Sequence, residues 1–248
     1  MYLIGDIGNT EIKICLFNKN YKIEKKLILK TNLISNKYLI SKLSFLLKYS
    51  NKIKKILFSS VVPPVYSVIK KFLRKKLKQK CIELKQINLN KLVKIMVNIK
   101  QVGSDRISNA IGVIDKKSNY IILDFGTATT FDVVIKKKYL GGIIAPGVDL
   151  SLRTLTSKAS LIPTVNLARV SKVIGTNTAN AVKSGFYWGY LGLIDNIIKL
   201  IIKQTRKPFK IILTGGLAHL FKNTIKGKIE VKKDLTINGL LKVAKNLK

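Results

Sequence analysis

Apolar runs that end on a carboxylate organise this chain. The most informative is Ile121-Ile122-Leu123-Asp124-Phe125-Gly126-Thr127-Ala128-Thr129-Thr130-Phe131-Asp132, followed by Val133-Val134-Ile135. The pattern predicts strand, tight polar turn, strand. Tyr2-Leu3-Ile4-Gly5-Asp6-Ile7-Gly8-Asn9-Thr10 opens the chain in the same way, and Ile12 to Phe17 supplies a returning strand. Asp6 aligns with Asp124, Gly8 with Gly126 and Asn9 with Thr127. Such an echo predicts an internal duplication, although Asp-x-Gly is short enough to recur by chance.

Between and after these hairpins the period changes. Leu33, Ile34, Leu39, Ile40, Leu43, Leu46 and Leu47 have helical spacing over 33–49. Ile53 to Phe58 reads as a short buried strand, and Pro63-Pro64 is expected to end it and start a turn. Tyr66 to Leu77 predicts a basic amphipathic helix whose charges face water, with a membrane-surface role as the weaker alternative. Cys81 to Ile87 predicts another strand, and Ile107 to Ile114 a helix entered through Gly103-Ser104-Asp105-Arg106. The polar link Lys116-Lys117-Ser118-Asn119 divides the chain into expected domains 1–117 and 118–248. Ser151 to Ala159 is expected to be helical. A long helix follows Gly175-Thr176-Asn177-Thr178, through about Gln204. Within it Gly185, Gly189 and Gly192 share one face, which predicts close packing, including packing across a dimer interface. Ile211 to Gly216 is a buried strand running into a Gly-Gly turn.

These turns carry the candidate chemistry. Thr127, Thr129 and Thr130 offer short hydroxyl donors suited to phosphate oxygens, and Asp124 and Asp132 offer hard ligands for an accompanying cation. An ordinary hairpin with threonines chosen for strand propensity accounts for the same residues. Asp105 falls at a helix N-terminus, where the dipole favours a carboxylate; Ser104 or Asp105 could equally serve as an N-cap. Gly215-Gly216 could wrap a flat ring or a phosphate, or simply turn the chain. The single histidine, His219, reads as structural. Neither a Walker-type G-x-x-x-x-G-K-[ST] nor a G-x-G-x-x-G is present, so any nucleotide is bound in another manner. Turns at strand ends of an α/β fold converge on one crevice, which would gather Asp6, Asp105, Asp124 and Asp132.

Composition adjusts this picture little. At 47% hydrophobic residues the 248-residue chain can bury one large core or two modest ones. The net charge of +35 admits either an anionic partner or drift toward lysine. The lysines are scattered from end to end instead of forming a stripe interleaved with aromatics, which argues against nucleic acid. Cys15 and Cys81 lie in apolar surroundings without metal-ligand spacing, as buried thiols of a reducing compartment do. No apolar run reaches about 18 residues, and Asp6 interrupts the N-terminal apolar stretch. A cytoplasmic protein off the membrane is expected.

Taken in order, Asp6-Ile7-Gly8-Asn9-Thr10, Gly103-Ser104-Asp105-Arg106, Asp124 to Asp132, Gly141-Gly142 with Pro146-Gly147, Gly175-Thr176-Asn177-Thr178 and Leu213-Thr214-Gly215-Gly216 resemble type III pantothenate kinase over essentially the whole chain. The resemblance implies the sugar kinase/heat-shock-70/actin superfamily: an α/β, two-domain duplicated ribonuclease H-like (actin-like ATPase) fold that works as a homodimer. It implies ATP-dependent phosphorylation of pantothenate to 4′-phosphopantothenate, the first step of coenzyme A synthesis. ATP would be held by Asp6, Ile7, Gly8, Asn9, Thr10, Glu11, Ile12 and Lys13, with Thr127, Gly215 and Gly216. Pantothenate would be held by Met96, Gly103, Ser104, Asp105, Arg106 and Thr178, with Asp105 as general base. Asp124 would help bind a monovalent cation, potassium or ammonium, and Asp6 would serve Mg²⁺.

Three positions depart from the family pattern. Met96 stands where the family usually has a tyrosine; it fills the volume without a hydroxyl. Ile99 replaces a nearby proline, and Thr176 replaces the lysine of G-K-N-T. Two other readings compete with the kinase: a homologous regulatory or nucleic-acid-binding accessory protein without catalysis, and a kinase for a different small alcohol. Intact Asp6, Asp105, Arg106 and Asp124 weigh against the first, and Met96 keeps the second open.

Overall fold

The structure, a computed structural model, describes residues 1–115 and 117–247; Lys116, part of the expected polar link, and Lys248 lie outside them. The chain divides into two compact units. Unit one comprises Met1–Ile114, Lys137–Tyr139 and Asp234–Lys248; unit two comprises Asp115–Lys136 and Leu140–Lys233.

In unit one β1 (Tyr2–Ile7), β2 (Glu11–Phe17), β3 (Ile23–Lys30), β4 (Lys55–Ser60) and β5 (Cys81–Glu83) form a sheet of order β3-β2-β1-β4-β5. β1 is antiparallel to β2 and parallel to β4, and β4 is parallel to β5. β1 and β4 are interior strands, which explains their near-continuous apolar runs. β3 is an edge strand and turns Glu24, Lys25 and Lys26 to water, which discourages edge-to-edge pairing. A short β6 (Lys94–Ile95) runs parallel to Lys138 and Tyr139.

Helical spacing over 33–49 resolves into two pieces. α1 (Asn36–Leu43) is capped by Ser35, whose hydroxyl accepts from the Tyr38 amide at 3.2 Å. A 3₁₀ segment, Ser44–Tyr49, continues it and keeps Leu46 buried. α2 (Pro63–Leu77) begins on the two prolines that were expected to turn the chain. Proline suits the first helical turn, where its missing N–H has no helical partner. The strand expected over Cys81–Ile87 stops at Glu83. There a 3₁₀ turn, Leu84–Gln86, begins with a capping box: Glu83 accepts from the Lys85 amide, and the Gln86 side chain accepts from the Glu83 amide. α3 (Ser104–Val113) follows the β6 segment.

β7 (Asn119–Phe125), β8 (Ala128–Ile135), β9 (Lys138–Pro146), β10 (Lys210–Gly215) and β11 (Ile229–Val231) have the order β11-β10-β7-β8-β9, and all belong to unit two except Lys138 and Tyr139 of β9. β7 is antiparallel to β8 and parallel to β10, and β10 is parallel to β11. These five strands repeat, place for place, the order of β1 to β5. The duplication hinted at by Asp6 and Asp124 therefore extends through both sheets. The helices are α4 (Val148–Lys158), α5 (Thr178–Thr205) and the short α6 (Ala218–Phe221). α5 buries Tyr187, Leu191, Ile194, Ile198 and Ile201, a stripe with helical spacing. The Tyr187 and Phe125 rings both stack on Phe221, at 5.8 and 5.2 Å. Gly185, Gly189 and Gly192 lie away from that stripe: a Cβ at any of them would meet nothing within 4 Å. Among the described residues the close packing expected of this glycine face is therefore not made, because the apolar stripe, not the glycines, faces the core.

α7 (Leu235–Asn246) completes unit one by packing on α3 and β1. Gly239 comes so close to α3 that a Cβ would lie 1.9 Å from the Ser108 carbonyl oxygen. The Ser108 hydroxyl donates to Thr236 O at 2.7 Å, and the Lys242 ammonium donates to Ile111 O and Ile114 O. Lys242 thus satisfies carbonyls at the C-terminal end of α3, where a cation also complements the dipole. Among the described residues no helix is long and apolar enough to cross a membrane.

Candidate active site

Within unit one two parallel strands deliver the first cluster. Asp6 stands beside Ser59 in the β1–β4 register and beside Lys13 in the β1–β2 register. The wholly buried Ser59 donates its hydroxyl to Asp6 Oδ1 at 2.6 Å. The turn between β1 and β2 is pinned from both sides. Gly8 N donates to Glu11 O, while Thr31 donates its hydroxyl to Gly8 O at 2.8 Å and its amide to Thr10 O at 3.0 Å. Asn9, Thr10 and Glu11 are exposed on this turn. Ile7 and Ile12 are fully buried, so their side chains belong to the core and only their backbone borders the turn.

The second cluster is the start of α3. Neither Ser104 nor Asp105 is the cap: Gly103 occupies that position without a side-chain bond, and both following residues lie inside the helix. Ser104, fully buried, accepts from the Ser60 amide at 2.7 Å and donates to the Ser60 carbonyl at 2.9 Å. This reciprocal pair ties the first turn of α3 to the end of β4. Asp105 follows, half-buried, with Oδ1 accepting from the Arg106 amide at 2.8 Å. Burial pushes the Asp105 carboxyl above the usual range, against the Arg106 amide and guanidinium, which pull it down. Gly103 leaves room for that carboxylate: a Cβ there would lie 2.3 Å from Asp105 Oδ1. Met96, 48% exposed, sits just beyond β6 and donates its amide to Tyr139 O.

Unit two repeats the first cluster with different walls. Asp124 is flanked by Thr130 on β8 and Thr214 on β10, the place that Ser59 takes beside Asp6. Gly126 N donates to Ala128 O to close the turn, leaving Gly126 and Thr127 exposed. Backbone crowds this turn from two directions. A Cβ on Gly147, at the start of α4, would lie 2.2 Å from Thr127 O. Gly215 has φ +87°, and a Cβ there would lie 2.5 Å from Phe125 O and 2.7 Å from Asp124 Oδ1. Gly216 N donates to Phe125 O. Thr129 and Asp132, grouped in the sequence with the candidate phosphate and cation ligands, are wholly buried in β8.

Thr178 opens α5 and is exposed. Its neighbour Asn177 caps the helix, and Gly175 presses on the Asn180–Ala181 backbone, where a Cβ would come within 2.3 Å of Ala181 N. His219 bonds the Gly216 carbonyl through Nδ1 beside the Gly-Gly turn. Burial pushes the Cys15 and Cys81 thiols up to about 11 and about 12, so both are inert packing residues. Among the described residues no group of three His, Cys, Asp or Glu side chains could hold a metal ion.

Sequence reasoning missed Ser59, Ser60, Thr31 and Glu83. Ser59-Ser60 ends an apolar strand, as Asp6 and Asp124 do, and that shared position was the available signal. Thr31 had none, because its partners Gly8 and Thr10 are distant in the chain, whereas Glu83 had the local capping-box spacing to Gln86.

A family model described as type III pantothenate kinase matches residues 2–200. A type III pantothenate kinase of Pelagibacter ubique is 56% identical over 248 residues, covering 100% of both chains. One of Desulforapulum autotrophicum is 37% identical over 98% of this chain and 96% of its own. A solved propionate kinase from Francisella tularensis is 10% identical and superimposes with a TM-score of 0.53 over 97% of this chain and 98% of its own, a likeness of fold alone. The two mirrored sheets form the duplicated α/β, actin-like ATPase fold of such kinases. The chain belongs to the type III pantothenate kinase family.

Proposed function

We propose that the chain transfers the γ-phosphoryl group of ATP to the 4′-hydroxyl of pantothenate, the first step of coenzyme A synthesis, with Asp105 as general base. The observation that carries this reading is the Asp105 carboxylate, half-buried on the first turn of α3 and made more basic by burial. A basic, positioned carboxylate accepts the hydroxyl proton as the new P–O bond forms and the bond to the β-phosphate oxygen breaks, releasing ADP. Arg106, next on the helix, pairs either with the pantothenate carboxylate or with developing phosphoryl charge. Gly103, Ser104, Met96 and Thr178 complete the pantothenate side.

ATP phosphates take the turn from Asp6 to Lys13, together with Thr127, Gly215 and Gly216. The exposed, glycine-bearing turns support this assignment, because backbone N–H groups approach phosphate closely only where side chains are absent. Hard oxygen donors suit the two cations. The carboxylate of Asp124 beside the Gly215 cradle fits a monovalent cation, and the carboxylate of Asp6 fits Mg²⁺ arriving on the nucleotide. Mg²⁺ would neutralise phosphate charge when bound. The open glycine face of α5 supports a homodimer.

A coupled ADP-release assay with Mg²⁺ tests the reading, run with and without pantothenate and with and without potassium. Release that requires pantothenate and rises with potassium is expected. Equal release with other small alcohols, or none with pantothenate, would overturn it.

A further inference from the structure

α3 is built from residues that do not make a helix by themselves. Five of its ten, Ser104, Asp105, Ser108, Asn109 and Gly112, are poor helix formers. So short a helix is not stable in isolation. Ser108 and Asn109 are adjacent in its middle and wholly buried. Serine and asparagine weaken a helix interior because their side chains compete for neighbouring backbone groups. In a helix the amides of Ser108 and Asn109 donate to the carbonyls of Ser104 and Asp105. A competitor at either position therefore acts on the turn that carries Asp105.

One residue of α7 occupies both competitors. The Ser108 hydroxyl donates to Thr236 O at 2.7 Å, and the Thr236 hydroxyl donates to Asn109 Oδ1 at 2.9 Å. The helices approach closely enough for this because each has a glycine at the contact. A Cβ on Gly112 would lie 2.7 Å from Leu235 Cδ1, and Gly239 meets the Ser108 carbonyl. The backbone oxygen of Thr236 would be in place whatever side chain the residue carried. Its hydroxyl, in contrast, depends on the residue type. It reaches a carboxamide one helical turn beyond Asp105, on the same helix face.

We propose that Thr236 is a positioning residue: its hydroxyl fixes the Asn109 carboxamide and so holds the 105–109 turn in the geometry from which Asp105 projects. Both ends of that turn are then tied down inside unit one, by Ser60 through Ser104 and by Thr236 through Asn109. Loss of the hydroxyl takes its donor from a buried carboxamide oxygen. The carboxamide then seeks backbone groups of its own turn, and the turn that carries Asp105 loosens. This inference rests on the reading of Asp105 as the base.

The test uses the full chain carrying Thr236→Val, which keeps the shape without the hydroxyl, or Thr236→Ser, which keeps the hydroxyl. Misplacing a reacting group by about 1 Å lowers a rate by about a hundredfold. Thr236→Val, a smaller disturbance, is expected to lower kcat by about tenfold, with both KM values changed by less than about threefold. Thr236→Ser should return kcat to within about twofold of wild type. In residue-resolved hydrogen exchange the Asn109 amide, which donates to the Asp105 carbonyl, should quicken by about tenfold in Thr236→Val while β1 does not change. In a chain that also carries Asn109→Ala, Thr236→Val should have no further effect on kcat. Unchanged exchange at Asn109, exchange quickened equally throughout unit one, additive losses in the double variant, or a Thr236→Ser as slow as Thr236→Val would each overturn the proposal. Should Thr236→Val not fold, Thr236→Ala makes the same deletion with a better helix former and gives the same measurements. If the wild-type chain releases no ADP with pantothenate, the functional reading fails, and the exchange measurement still decides the place of Thr236.

Discussion

Ser59 donates its hydroxyl to Asp6 Oδ1 across 2.6 Å, from the parallel strand next to the one that carries Asp6. Thr214 holds the same register place beside Asp124 in the second sheet. Each half of the duplication therefore gives its first-strand carboxylate a buried hydroxyl neighbour. Ser59→Ala should lower stability by about 1 to 2 kcal/mol, because it removes a hydrogen bond to a charged group inside the fold. With Asp6 no longer oriented, the KM for ATP should rise more than the KM for pantothenate. Thermal unfolding and steady-state kinetics measure the two effects, and equal changes in both KM values would contradict the assignment of Asp6 to the nucleotide.

Asp105→Asn should abolish turnover while ATP binding persists, and it should also stabilise the fold near neutral pH. The Asp105 carboxyl is raised by burial in the folded state, so the folded chain holds its proton more tightly than the unfolded chain does. The corresponding stability is fully present below the unfolded pKa and is lost as pH rises through the folded pKa. The neutral amide escapes that loss. Its advantage over wild type in thermal melts should be largest near neutral pH and vanish below about pH 4. The acid limb of kcat/KM in the wild-type enzyme should lie above the ordinary aspartate range. A melting difference independent of pH would contradict this origin.

Gly103→Ala probes geometry without touching charge. The backbone at Gly103 has φ −59°, which any residue adopts, so no conformational strain is added. The new methyl group would instead meet Asp105 Oδ1. The carboxylate must swing aside, and kcat should fall by about tenfold to a hundredfold with little change in the melting temperature. Full activity in a well-folded Gly103→Ala would show that Asp105 has more latitude than its setting implies.

Gly189→Leu addresses the open face of α5. Within the chain a side chain at Gly189 has free space, and leucine is a better helix former by roughly 0.8 kcal/mol. The isolated chain should tolerate it. A homodimer built on this face should dissociate, seen as a halved mass in sedimentation at micromolar concentration. A dimer of unchanged mass would place the interface elsewhere.

The strands were legible because interior strands are written as apolar runs and their ends as carboxylates or hydroxyls. Asp6 and Asp124 could thus be found from pattern, whereas Asp105, at a helix start, stood out only through the Gly103-Ser104-Asp105-Arg106 motif. Helix starts were less legible. Pro63-Pro64 fits both a turn and the first turn of a helix, and only burial of Ile69, Phe72 and Leu73 against the sheet decides between them. The glycine face of α5 was visible, but not what it faces, since spacing does not name a neighbour. The groups that orient the site, Ser59 on Asp6 and Ser104 on Ser60, pair across 53 and 44 positions, and no local pattern encodes such pairs. Gly215 was visible as a turn glycine; that φ +87° and the Phe125 backbone exclude any side chain there required the fold.

α7 has a consequence for the order in which the molecule is made. Residues 235–246 emerge from the ribosome after both sheets, yet they finish the unit that residues 1–114 begin. Until then α3 lacks the Gly239 surface against Ser108 and the Lys242 ammonium on its last carbonyls. A nascent chain can therefore close its second sheet while the helix that carries Asp105 is still uncovered. Asp105 acquires its final setting only once residues 235–246 have been made.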